Sequence, residues 1–169
     1  RMAKKIAIVD DDHIIQESLQ EALAEAGYSV SVAADGASGF DLVDREKPDL
    51  LLADILLPRL HGIALCEKIR AREDCKGIVI ILMTGVYKDV NLRMYVHKGL
   101  ADDFIEKPFR EKDLLLKIER FIGPGEEKAL VQPPAQAISE PDRQEHKTPG
   151  RSVASELDDL VSWAHGKKK

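Results

Sequence analysis

The sequence predicts an α/β protein built on a five-stranded parallel sheet. Short apolar runs typical of strands alternate with helical patterns from the N-terminus to about residue 122, and this alternation indicates βαβ units. Three of the runs, at residues 6–9, 50–53 and 78–82, are continuously apolar. Because such runs are typical of strands covered by helices on both faces, we expect these three strands at the centre of the sheet.

The sequence pattern places five strands along the chain, and it also places the first and the last helix. The strands are predicted at residues 5–10, 29–33, 50–54, 78–84 and 103–106. Apolar residues recur at helical spacing over residues 15–26 and 110–122. Each stretch is followed by a glycine, Gly27 or Gly123, where a helix would end. The folded domain is therefore predicted to span residues 4–122.

The rest of the chain has a different composition. Residues 123–150 hold five of the eight prolines and few large apolar residues, which predicts a flexible linker. In residues 151–169 a short apolar stripe returns at helical spacing, made of Val153, Leu157, Leu160 and Val161. Because so short a helix is marginal in water by itself, we expect a C-terminal tail that is disordered or partly helical.

Composition and charge exclude several function classes. Hydrophobic residues make up 44% and charged residues 33% of the chain, and no apolar run approaches the roughly 20 residues that cross a bilayer. The net charge of −5 argues against direct binding to DNA, which needs clustered Lys and Arg. Cys66 and Cys75 have no partners at metal-ligand spacing and are expected to be free thiols. We expect a cytoplasmic protein that does not associate with membranes.

Polar residues follow four of the predicted strands. They are Asp10 at the end of the first strand with Asp11 and Asp12 after it, Asp54 at the end of the third, Thr84 at the end of the fourth and Lys107 after the fifth. Because the carboxyl ends of parallel strands meet at one edge of the sheet, these side chains are expected to converge there. Gathered carboxylates repel one another and favour a bound cation, and oxygen ligands without His or Cys favour Mg²⁺. Asp12 is expected to cap the following helix.

Four segments resemble motifs of the receiver domain of two-component response regulators, in the single-domain, chemotaxis-type form. The segments are residues 8–12, 48–58, 83–85 and 102–109. Thr84 and Lys107 come 30 and 53 positions after Asp54, close to the spacing in that family. The resemblance covers about residues 4–122 and implies a flavodoxin-like, doubly wound (βα)5 fold.

The resemblance also implies a phosphorylation site. Asp54 is the residue that would accept a phosphoryl group. Asp10, Asp11, Asp54 and the backbone carbonyl of Leu56 are the implied ligands of Mg²⁺. Phosphoryl transfer depends on positioning the reactants and neutralising the phosphoryl oxygens, which a metal ion and a lysine can accomplish.

Three further roles follow from the same resemblance. Lys107 would pair with the phosphoryl group, and the hydroxyl of Thr84 would bond to it and draw its own loop inward. Phe104 occupies the aromatic switch position, whose ring would turn inward when that loop moves. A surface formed by the fourth helix, the fifth strand and the fifth helix would then carry the signal.

The partners implied are proteins. A sensor histidine kinase or a phosphotransfer protein would donate the phosphoryl group, and a downstream protein target would read the result. A phosphorylation-dependent dimer is also consistent with the resemblance. The protein would act as a phosphoacceptor rather than as an enzyme, apart from catalysing its own phosphorylation and dephosphorylation.

Two alternatives remain open from the sequence. A phosphohydrolase of the haloacid dehalogenase type also carries acidic residues after its first strand, which would make Asp10 the nucleophile. However, Ile14 stands where that family has Thr or Val, and Asp54 would have no function. The second alternative is a receiver fold that binds its partner without phosphorylation.

Overall fold

The computed structural model describes residues 2–85 and 92–126. The predicted tail and all of the predicted linker except residues 123–126 lie outside these ranges. Within the described residues, five strands alternate with five helices, as the sequence predicts. No helix in this part of the chain combines the length and the apolar character needed to span a bilayer.

The strands and helices follow one another along the chain with short connections. The strands are β1 (Lys5–Val9), β2 (Ser29–Ala33), β3 (Leu50–Asp54), β4 (Val79–Thr84) and β5 (Asp103–Glu106). The helices are α1 (His13–Glu25), α2 (Gly36–Glu46), α3 (Gly62–Arg70), α4 (Leu92–His97) and α5 (Glu111–Ile122). One turn of 3₁₀-helix, Glu73–Cys75, precedes β4.

All strand pairs in the sheet are parallel, and the strand order is β2-β1-β3-β4-β5. The three apolar runs expected at the centre of the sheet form β1, β3 and β4, which confirms that prediction. The order places the ends of β1 and β3 side by side, with β4 and β5 following on the same edge. This arrangement determines which residues can meet at the carboxyl end of the sheet.

The sheet is covered on both faces. Alternate residues of each strand point to opposite faces, so Ile6 and Ile8 pack with buried residues of α1 and α5, whereas Ala7 and Val9 pack with those of α2, α3 and α4. Leu50, Leu51, Leu52 and Ala53 are all fully buried. The predicted doubly wound (βα)5 architecture is therefore confirmed.

The amino end of the sheet is closed by close backbone contacts. Gly27 has φ +88, and its carbonyl accepts a hydrogen bond from the Glu126 amide at 3.1 Å. A Cβ atom at position 27 would lie 1.9 Å from the Glu126 carbonyl oxygen, so only glycine fits there. The Tyr28 hydroxyl donates to the Gly123 carbonyl at 2.7 Å. The segment after α5 is thus attached to the turn between α1 and β2.

Candidate functional site

Three aspartates meet at the carboxyl edge of the sheet. Asp10 and Asp11 directly follow β1, and Asp54 is the last residue of the neighbouring strand β3. One carboxylate oxygen from each of the three lies within 4.8 Å of the others. Oxygen ligands of this kind are what hard divalent cations prefer. We call these three residues, together with Lys107, the acidic pocket.

Lys107 reaches this group from the loop after β5. Its Nζ donates to Asp10 Oδ2 at 2.6 Å and also to Asp54 Oδ2. The structure thus brings together residues that are 97 positions apart in the chain. Lys107 pairs with both Asp10 and Asp54, so the three carboxylates and this single ammonium group give the pocket a formal net charge of −2 among the described residues.

The members of the acidic pocket differ in burial. Asp10 is 0% exposed and Asp54 is 8% exposed, whereas Asp11 is exposed. Burial raises the pKa of Asp10, although the hydrogen bonds from Lys107 and the Asp12 amide act in the opposite direction. A charged carboxylate is therefore costly at this position in the free protein. A cation bound between the carboxylates would reduce that cost, so the donor set fits Mg²⁺.

Burial and pairing also compete at Lys107. Burial alone would lower the pKa of its ammonium group, but the hydrogen bonds to Asp10 and Asp54 outweigh it, so the pKa of Lys107 is raised. The lysine therefore stays protonated through the neutral range and can serve as a fixed positive charge.

The carboxylate of Asp54 is held at both oxygens. Oδ1 accepts a hydrogen bond from the Leu56 amide at 2.7 Å, and Oδ2 accepts from Lys107. The Leu56 side chain beside it is 46% exposed, so this edge of the pocket faces solvent. A carboxylate oriented in this way can attack an incoming electrophile with little reorganisation. The role of the Leu56 carbonyl as a metal ligand stays a prediction.

The two predicted switch residues lie on the neighbouring strands. Thr84 ends β4 and is buried, and its hydroxyl donates to the Gly85 carbonyl at 3.1 Å. Its own carbonyl accepts a hydrogen bond from the Lys107 amide at 2.6 Å, which ties the end of β4 to the loop that carries Lys107. Phe104 lies in β5, opposite Leu82 of β4. It is half-buried against the core on the side of the sheet covered by α2, α3 and α4. Their switching roles stay predictions.

Two buried polar side chains near the strand ends are not identified by the sequence reasoning. One is Gln16 on α1, which is 6% exposed. Its position three residues before Leu19 and seven before Leu23 places it on the buried stripe of the helix, and that spacing is the signal that could have identified it. By contrast, Asp12 caps α1 as predicted, with its carboxylate accepting from the amides of Ile14 and Ile15.

The second is Asp35, which is 2% exposed and caps α2. Its carboxylate accepts from the amides of Ala37 and Ser38, both at 2.9 Å, and from the Ser38 hydroxyl at 2.7 Å. The Arg59 guanidinium lies 2.8 Å away. The hydrogen bonds from Ser38, the positive charge of Arg59 and the hydrogen bond from the Ala37 amide lower the pKa of Asp35. The Asp-Gly-Ala-Ser sequence at residues 35–38 is a helix-start signal that could have predicted this cap.

Comparison with known proteins agrees with the fold. Residues 6–119 match the model of the response regulator receiver domain. Response regulator MprA from Mycobacterium bovis is 33% identical over 121 residues, which are 72% of this chain and 51% of that protein. The chain thus spans about half the length of the curated relatives it matches.

Solved structures share the fold. A CheY-like response regulator receiver domain protein from Methanospirillum hungatei JF-1 superposes with a TM-score of 0.65 and 35% identity, covering 70% of this chain and 93% of that chain. The receiver domain of sensor histidine kinase PA1611 from Pseudomonas aeruginosa PAO1 gives a TM-score of 0.65 and 29% identity, covering 72% and 99%. That structure has a magnesium ion coordinated in its active site cleft.

The strand order, the match over residues 6–119 and the identity to response regulators lead to one assignment. The chain belongs to the response regulator receiver domain family, in which an aspartate is phosphorylated by histidine kinases.

Proposed function

We propose that Asp54 is the residue of this chain that accepts the phosphoryl group. The observation that carries the proposal is the convergence of Asp10, Asp11 and Lys107 on its carboxylate. Asp54 ends a central strand and is slightly exposed, whereas Asp10 is fully buried. Of the two, Asp54 is therefore the carboxylate that an external phosphodonor can reach.

Asp10, Asp11 and Asp54 would hold Mg²⁺, with the backbone carbonyl of Leu56 as a further ligand. The support is the uncompensated negative charge of the pocket and its all-oxygen donor set. When bound, the ion supplies neutralisation of the phosphoryl oxygens. Lys107 supplies a second, permanent positive charge, because its raised pKa keeps it protonated.

The transfer itself needs only an oriented carboxylate and charge neutralisation. A carboxylate oxygen of Asp54 forms the new bond to phosphorus while the bond between phosphorus and the donor breaks. If the donor is a phosphohistidine, the P–N bond breaks and the imidazole nitrogen takes up a proton. The Leu56 amide donates to Oδ1 of Asp54 at 2.7 Å, which orients the carboxylate before the transfer.

The response to phosphorylation would pass through Thr84 and Phe104. The hydroxyl of Thr84 would exchange its bond to the Gly85 carbonyl for a bond to the phosphoryl group. Movement of this loop would let the half-buried ring of Phe104 turn inward. The surface of α4, β5 and α5 would then present a changed face to a downstream protein or to a second copy of the chain. Exposed apolar residues on that surface, Met94 and Leu116, suit a protein partner.

We further propose that a sensor histidine kinase or a phosphotransfer protein is the donor and that residues 4–122 form the signalling domain. The chain would act as a phosphoacceptor and not as an enzyme on other substrates. Location in the cytoplasm and the lack of direct DNA binding stay predictions from composition.

Incubation with acetyl phosphate and Mg²⁺, followed by intact-mass measurement, tests the proposal. The wild type is expected to gain one phosphoryl group, and Asp54→Asn is expected to gain none. Asp44→Asn is a matched control, because Asp44 is an exposed carboxylate paired with Lys47 and Arg72 away from the pocket. This variant is expected to be phosphorylated like the wild type.

A phosphatase assay, together with the phosphorylation experiment, separates the alternatives. Turnover of a phosphate ester that is lost in Asp10→Asn but kept in Asp54→Asn would favour the hydrolase. A wild type that gains no phosphoryl group while still binding a partner would favour the phosphorylation-independent module. Equal phosphorylation of Asp54→Asn and the wild type would contradict the proposed acceptor.

A further inference from the structure

Helix α1 places one amide side chain between the ends of two strands. Gln16 Nε2 donates to the carbonyl oxygen of Asp10 at 2.5 Å and to that of Ala33 at 2.9 Å. Asp10 follows β1 and Ala33 ends β2. We propose that Gln16 is a positioning residue for the acidic pocket, which acts by fixing the peptide that joins Asp10 to Asp11.

The chemistry of this location favours a side chain that donates to the Asp10 carbonyl. The β1–β2 ladder ends at the pair Val9 and Ala33, so the Asp10 carbonyl lies beyond the regular strand pairing. A buried carbonyl without a donor is unfavourable. One hydrogen of the glutamine NH₂ satisfies the Asp10 carbonyl, and the other adds a second bond to the Ala33 carbonyl, which also accepts from the Asp10 amide at 3.2 Å. An apolar side chain of the same length offers neither.

The peptide held by Gln16 connects two members of the acidic pocket. The Asp10 carbonyl belongs to the same planar unit as the Asp11 amide, so fixing this carbonyl limits rotation on both sides of that peptide. The carboxylates of Asp10 and Asp11 lie within 4.8 Å of each other and of Asp54. Gln16 thereby couples the position of α1 to the spacing of the carboxylates without touching any of them.

The Asp12 amide provides a reporter of this coupling. It donates to Asp10 Oδ1 at 3.0 Å, and so its protection depends on where the Asp10 carboxylate lies. If Gln16 positions Asp10, removing its donors must loosen this bond even in protein without metal. The predicted effect on Mg²⁺ affinity rests in addition on the proposed function, whereas the Asp12 reporter does not.

The test compares Gln16→Met with Leu23→Ala. Methionine keeps the length of the side chain and removes both donors. Leu23 is a buried residue on the same face of α1, seven positions further along, and its truncation destabilises the helix packing without touching the pocket. Hydrogen exchange at the Asp12 amide is measured in metal-free protein, and Mg²⁺ affinity is measured by calorimetry without a phosphodonor. Gln16→Asn, which keeps the amide on a shorter chain, replaces Gln16→Met if the latter does not fold.

We expect Gln16→Met to accelerate hydrogen exchange at the Asp12 amide. It should also weaken Mg²⁺ binding about tenfold, because the loss of a residue that orients metal ligands typically lowers affinity by that amount. Leu23→Ala is expected to keep the wild-type Mg²⁺ affinity. Unchanged Asp12 exchange in Gln16→Met, or equal loss of Mg²⁺ affinity in both variants, would overturn the inference. A wild type that binds no Mg²⁺ would count against the proposed metal site, and the Asp12 result would still decide the role of Gln16.

Discussion

Two aspartates, Asp10 and Asp35, are buried beside the ends of the neighbouring strands β1 and β2, yet their electrostatic environments are opposite. Asp35 accepts three hydrogen bonds from the start of α2 and pairs with Arg59, and its pKa is lowered. Asp10 shares Lys107 with a second carboxylate and lies near a third, and its pKa is raised by burial.

The difference separates a carboxylate that caps a helix from one that we propose as a ligand of Mg²⁺. The negative charge of Asp35 is compensated inside the fold by Arg59 and by the first amides of α2. The acidic pocket instead keeps more negative charge than Lys107 can neutralise, which is costly for the free protein. Burial alone therefore does not identify the site. A better criterion for a functional site is a buried carboxylate whose negative charge is only partly neutralised by its partners.

The largest effect is expected when the lysine of the pocket is removed. In Lys107→Met the phosphoryl oxygens lose a fixed positive charge, and the rate of phosphorylation by acetyl phosphate should fall about 100-fold, as for other lost electrostatic donors. Time-resolved intact mass at saturating Mg²⁺ measures this rate.

The matched control is Arg59→Met, which removes the cation beside Asp35 instead. Because Asp35 keeps its hydrogen bonds from Ala37 and Ser38, the phosphorylation rate of this variant should equal that of the wild type. Similar losses in both variants would mean that the two cations do not differ in function.

A smaller effect is expected on stability when Mg²⁺ is added. Mg²⁺ at ten times its dissociation constant should raise the free energy of unfolding by about 1.4 kcal/mol, because only the folded chain assembles the pocket. Urea denaturation with and without Mg²⁺ measures the increment. Asp11→Asn should lose most of it and Asp35→Asn should keep it. An equal increment in both variants would show that the ion acts elsewhere.

The smallest effect concerns pH and the cap of α2. The pKa of Asp35 lies below its ordinary value of 3.8. Its ionised form therefore stabilises the fold above pH 3.8, and this contribution is lost as the pH falls through the lowered pKa. The stability difference between the wild type and Asp35→Asn should be constant near neutrality and shrink below pH 3.8. Urea denaturation of both proteins at a series of pH values measures this difference. A difference that grew as the pH fell would contradict the lowered pKa of Asp35.

The sequence predicted the sheet and the residues of the pocket because their signals are local. The apolar runs of β1, β3 and β4 mark the central strands, and Asp10, Asp54 and Lys107 each stand at the end of a strand or directly after it. Helical spacing could have predicted that Gln16 is buried, but not which groups it binds. Its partners are the carbonyls of Asp10 and Ala33, the latter 17 positions away, and only the packed helix brings the amide to them. Asp35 carries a local capping signal, but its burial and its pairing with Arg59 depend on the loop after β3.

We propose that phosphorylation takes place on Asp54 and depends on the neighbouring carboxylates. The most direct test is to phosphorylate the protein with acetyl phosphate and Mg²⁺, reduce it with borohydride, which converts an aspartyl phosphate to homoserine, and locate the converted residue by peptide mass spectrometry. We predict homoserine at position 54, formed only when Mg²⁺ is present. Conversion at position 10, or a yield independent of Mg²⁺, would contradict the assignment of Asp54 as the acceptor.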